Sequence, residues 1–124
     1  MPKNNTEIKW LSAPEEHDYP AAQAYLSLIY DVGLAGAYVE KLRHAAPAEF
    51  KAKDIFRASG LSLLGISNVH MERDRQKIEG GEALSPLLLV RDTEHGKVVI
   101  ADGYHRLCAV YEYNEDALIP CRIV

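Results

Sequence analysis

A chain of 124 residues, 48% hydrophobic and 26% charged, is long enough to bury one core without metals or disulfides to hold it. The formal charge of −4 excludes a protein that coats nucleic acid through bulk positive charge. Cys108 and Cys121 make neither a disulfide framework nor a zinc-ligand spacing. No apolar run reaches the roughly 20 residues of a membrane span, and MPKNNTEIKW lacks a signal peptide's apolar stretch. A reduced, cytoplasmic protein that avoids membranes is expected. Only residues 47–79 are net positive, with six Lys/Arg against five Asp/Glu, so any anion site must be built locally from a few aimed side chains.

Ile8 to Leu11 reads as a short strand closed by Ser12-Ala13-Pro14. From Pro20 the apolar residues recur at three- and four-residue steps, with Asp18 as a plausible N-cap. Gly33 interrupts and the spacing resumes to about His44, giving either two helices or one kinked helix, ended by Pro47. Lys51 to Arg57 is charged and weakly patterned, and Ala58 to Leu64 reads as helical or extended. Ser67-Asn68 is a candidate cap for a helix from Val69 to about Glu79, terminated by Gly80-Gly81. Pro86 to Val90 is an apolar run of strand length, Asp92 to Gly96 a turn, and Lys97 to Ala101 a second strand, together a hairpin. Tyr104, Leu107, Cys108 and Tyr111 fall on one face of a helix that Asn114 ends. Ile119 to Val124 is a final strand with Ile119, Cys121 and Ile123 on one face.

The informative stretch is Asp102-Gly103-Tyr104-His105-Arg106. A strand entering a helix through a glycine turn leaves unpaired backbone N–H groups at the helix start, where the dipole favours an anion. Gly103 tolerates positive φ and allows close approach. His105 and Arg106 stand where the dipole disfavours cations, and a bound phosphate would reverse that penalty. Otherwise Asp102 is simply an N-cap, and Arg106 pairs with it or with a neighbouring acid.

IADGYHRLCA, followed by a helix and LIPCRIV, resembles the ParB/sulfiredoxin superfamily. There a strand leads into a Gly-x-x-Arg-type turn, a helix and a closing Ile/Val-Pro-x-x-Val strand. The resemblance covers roughly residues 50–124 and is strongest from Ser85 onward, with Asp102, Gly103, His105, Arg106 and Ala109 as its motif core. It is closest in wording to the Asp-Gly-His-His-Arg turn of the superfamily's free serine kinases. It implies an α+β fold, a small mixed β-sheet packed by helices, for the 47–124 core of a single domain; residues 1–46 match no part of the superfamily and read as an added N-terminal helical segment. It further implies a phosphate or nucleotide site at Gly103, Tyr104, His105 and Arg106. His70 and Arg73, on the helix that faces this turn in the superfamily, share a helical face and could join it. Asp102 could serve as a general base or hold Mg²⁺ beside ATP, CTP or another nucleotide, with His105 as the second catalytic candidate.

Sulfiredoxin chemistry needs a cysteine where this chain has Tyr104, which either gates the site or fills the helix face, and Cys108 lies on the predicted buried face. No helix-turn-helix segment follows, so sequence-specific DNA binding is not expected. The leading reading is therefore a ParB-like domain that binds a nucleotide or another phosphate-bearing ligand, or acts as a small phosphotransferase or NTP hydrolase. The alternative is a non-catalytic interaction module or homodimer using the apolar segment 20–44; a buried Arg106 paired with an internal acid would favour it. A nuclease ranks third, since no carboxylate cluster suits the metals that such chemistry uses.

Overall fold

The computed structural model describes residues 7–62 and 69–124. Among these the elements in chain order are α1 (Asp18–Leu26), α2 (Val32–Arg43), β1 (Ala48–Lys51), α3 (Ala52–Ser59), α4 (Val69–Glu79), β2 (Leu87–Asp92), β3 (Lys97–Asp102), α5 (Tyr104–Tyr113) and β4 (Leu118–Ile123). The class is α+β, with a mixed four-stranded sheet in the order β1-β4-β2-β3.

The sheet is built on the expected hairpin. β2 and β3 pair antiparallel around a turn in which Gly96 adopts φ 64° and the His95 N–H donates to the Asp92 carbonyl. α5 then crosses over the sheet so that β4 returns parallel beside β2, and β1 closes the far edge antiparallel to β4. Pairing of β4 with β2 begins at Cys121, one residue after Pro120. The missing proline N–H therefore falls where β2 asks for no hydrogen bond.

The continuous apolar run of β2 has a direct cause: the strand is covered on both faces. Leu87 and Leu89 point into one core with Ile55, Met71, Ile78 and Leu107 of α3, α4 and α5. Leu88 and Val90 point into the other, with Ala22, Leu26, Val39 and Leu42 of α1 and α2. Cys108 and Cys121 are buried and in no disulfide, and burial pushes the Cys121 thiol up to about 11, which makes it an unreactive core residue.

Several sequence expectations shift. The break in the N-terminal helical region comes before Gly33, which lies inside α2. Asp31 causes it, because its carboxylate accepts the Leu34 N–H at 2.8 Å and starts a new helix as its N-cap. Asp18 is the first residue of α1 and not its cap; tertiary partners claim its carboxylate, as described below. The strand expected at Ile8 to Leu11 is reduced to one parallel bridge between Trp10 and Leu84. β1 carries no alternation, since only Ala48 of its four residues is even half-buried. α3 emerges from the weakly patterned region, with Ala52, Ile55 and Ser59 buried and Gly60 at φ 69° closing it. The Ser67-Asn68 cap, and residues 63–64 of the preceding segment, lie outside the described residues. Among the described residues no helix is long and apolar enough to cross a membrane.

Candidate functional site

The Asp102–Arg106 turn lies where β3 hands the chain to α5. Gly103 has φ 108°, a conformation that L side chains rarely adopt. A Cβ at this position would lie 2.8 Å from Arg106 Nη2 and 2.8 Å from Leu87 Cγ. The close approach anticipated for a ligand at Gly103 is thus made by the protein's own guanidinium. The first turn of α5 holds no acidic residue and has no side-chain cap, so its N–H groups have no intrahelical partner.

Asp102 is the last residue of β3 and not a cap. Its Oδ2 accepts a hydrogen bond from Arg106 Nη2 at 2.9 Å, and the two side chains are 18% and 17% exposed. Arg106 Nη2 also donates to the Pro86 carbonyl at 3.4 Å. Its Nε is buried without a hydrogen-bond partner among the described residues.

Behind this pair sits an acid that sequence reading placed only as a cap. Asp18 is 3% exposed; its Oδ2 accepts the Glu15 N–H at 3.0 Å and the Ser85 hydroxyl. Burial, with the adjacent Asp18 carboxylate, holds the Asp102 carboxyl above its ordinary range against the opposing pull of Arg106. The N-terminal segment therefore supplies a charged neighbour to the turn from the opposite side of the sheet.

In front of the pair, α4 meets α5. The His70 and His105 rings have centroids 4.9 Å apart, so these two expected residues do come together. Arg73 does not join them: it is exposed and makes no hydrogen bond or ion pair with the turn among the described residues. The residue that faces the turn is Asp74, one helical turn beyond His70. Burial raises its carboxyl, while Arg106, Lys77, His105 and His70 pull it down. Positions i+3 and i+4 share one side of a helix, and the sequence offered no reason to prefer Asp74 over Arg73. The Tyr104 hydroxyl donates to the Ser62 carbonyl, burial pushes it up to about 12, and the ring packs against the core on the α4–α5 side of the sheet.

His105 is held below its ordinary value of 6.5, first by burial and then by His70. A histidine with a depressed folded pKa stabilises the fold fully above the unfolded value, and that contribution is lost as pH falls beneath it. His105→Gln should therefore flatten the acid limb of stability just below pH 6.5. Urea melts of both proteins across that limb measure it, and parallel pH profiles would contradict a half-buried imidazole held neutral.

Two other clusters carry less chemistry. Glu15, His17 and Asp18 bring potential metal-ligand atoms within 4.8 Å of one another. Asp18 Oδ2 is already engaged, and the other two residues are exposed, so this is a hydrogen-bonded corner. At the other end of the sheet, Phe50, Ile55, Ala58, Leu89, Val98 and Ile123, with Arg91, line a largely apolar cavity of about 190 Å³. It is below the roughly 300 Å³ of ordinary ligand pockets. Comparison with family models, curated proteins and solved structures finds no match.

Proposed function

We propose that the chain is a ParB/sulfiredoxin-like domain whose Asp102–Arg106 turn binds the phosphate of a nucleotide or similar small ligand. The observation that carries this reading is the meeting of His70 and His105 over a helix start that, among the described residues, has neither an acid in its first turn nor a side-chain cap. Uncapped N–H groups and the dipole favour negative charge there. The His105 imidazole can donate to a phosphate oxygen and, held neutral by its surroundings, can take up a proton as the anion arrives. Arg106 contributes a charge fixed from behind by Asp102.

The roles of the acids change in this reading. Asp102 holds Arg106 and is a poor Mg²⁺ ligand, because Arg106 already occupies one of its oxygens. A Mg²⁺ carried in with ATP or CTP would find Asp74 in its place, the carboxylate on the histidine side. Should the ligand undergo phosphoryl transfer, His105 or Asp74 is the group placed to move a proton.

Calorimetric titration of ATP, CTP and GTP with Mg²⁺ tests the proposal on wild type, His105→Ala and Arg106→Ala, each first checked for folding by circular dichroism. Loss of one charge-assisted contact should weaken binding by about 10-fold or more. No binding in any protein, or equal binding in all three, defeats it. The Asp102–Arg106 ion pair favours the second reading, an interaction module in which Arg106 is structural, and such a module would give the flat result.

A further inference from the structure

α1 is apolar on both sides. Tyr19, Ala22 and Leu26 are buried against the sheet. On the side turned to solvent stand Pro20, Ala21, Ala24, Tyr25, Leu28 and Ile29, all exposed. The last two extend the helix face through hydrogen bonds of Leu28 N–H to Tyr25 O and Ile29 N–H to Leu26 O, each 3.0 Å. From Pro20 to Val39 the only charged residue is Asp31. Leu28 is 83% exposed and Val32, at the start of α2, is 71% exposed. Scattered apolar side chains on a surface need no explanation. A helix that is apolar all round belongs between two packed layers, and here one layer is missing.

The order of residue sizes along this face indicates what supplies the layer. Its N-terminal half is small (Ala21, Ala24) and its C-terminal half is large (Tyr25, Leu28, Ile29). An antiparallel copy of the same helix, related by a two-fold axis near Ala24 and Tyr25, sets each large half against the partner's small half. Such a face complements itself, as an isologous interface requires. From Pro20 to Ile29 the face carries no charge with which to select an oppositely charged partner, and Asp31 flanks it beside Val32.

We infer that the outer face of α1, with Val32 beside it, is a homodimer interface in which two chains pack α1 against α1 antiparallel. Counting about 100–200 Å² for each fully exposed large side chain, the face offers on the order of 500 Å² per chain. The roughly 1,000 Å² total is at the low end for a specific interface, so the dimer is reversible. It does not depend on what the phosphate turn binds.

Sedimentation equilibrium of the full chain, from a few micromolar to several hundred micromolar, tests the inference. Wild type should shift from monomer to dimer with concentration, while Leu28→Glu, Ala24→Glu and Ala24→Lys each remain monomeric with unchanged circular dichroism. Because Ala24 lies close to its own copy at the axis, an equimolar mixture of Ala24→Glu and Ala24→Lys should recover a one-to-one dimer. A wild type that is monomeric at every concentration overturns the inference, including one that instead partitions onto phosphatidylcholine vesicles. So does a dimer indifferent to these substitutions, or a charge-swapped mixture that fails to pair.

Discussion

Replacing Gly103 by alanine is expected to destabilise the protein by about 2–5 kcal/mol. Two costs add. The backbone stands at φ 108°, where an L side chain is strained by about 1–2 kcal/mol. The new Cβ would also lie 2.8 Å from Leu87 Cγ and 3.1 Å from its Cδ1. Leu87 is fully buried at the base of the sheet and can yield only by disturbing the core around it, at about 1–3 kcal/mol. The equally short approach to Arg106 Nη2 is the cheaper part, being the end of a long side chain, though moving it strains the bond to Asp102. Gly96→Ala is the matched control: φ is again positive at 64°, but a Cβ there meets nothing within 4 Å. Denaturant melts should show a clearly smaller loss at Gly96, and equal losses would remove the contact from the account.

The second large effect is expected at Arg106. Arg106→Met should cost about 3 kcal/mol, because removing one partner of a largely buried ion pair leaves the other charge uncompensated. Here the remaining charge is Asp102, which also has the Asp18 carboxylate beside it. Asp102→Asn in the same chain should return much of the loss, so the two substitutions are strongly non-additive. The deficit has a defined pH dependence. Without Arg106 the folded pKa of Asp102 rises further above the unfolded value. A group raised in this way is favourable to folding when protonated, and that benefit is lost as pH climbs through the folded pKa. The Arg106→Met deficit should thus be widest near neutrality and narrow in acid, whereas a simple packing loss would not vary with pH.

Much of the C-terminal half was legible in the sequence because its signals are local. Asp92 to Gly96 carries turn chemistry, Pro86 to Val90 reads as a strand buried on both faces, and Tyr104 to Tyr113 has helical spacing between a glycine and an asparagine. These choices are set by backbone sterics and by neighbours three or four residues away. β1 was not legible, since its four residues show no alternation and become a strand only because β4 offers them an edge. The split between α1 and α2 was legible as a break but misplaced, as Gly33 drew attention from the stronger N-cap at Asp31.

For the candidate site the division is sharper. The motif drew attention to Gly103, His105 and Arg106, and the positive φ at Gly103 follows from residue type and position. Helical periodicity brought His70 into consideration, while the choice between Arg73 and Asp74 rests on how α4 is rotated against α5. The burial of Asp18 beside Asp102 depends on α1 crossing the sheet to reach Ser85, a partner 67 residues away. The sequence by itself determined the β2–β3 hairpin, α5, the glycine turn and the cations placed against the dipole, all through interactions spanning a few residues. Only the tertiary structure decided which acids answer those cations and which helix face stays uncovered, because burial and pairing between distant segments are set by how the layers pack.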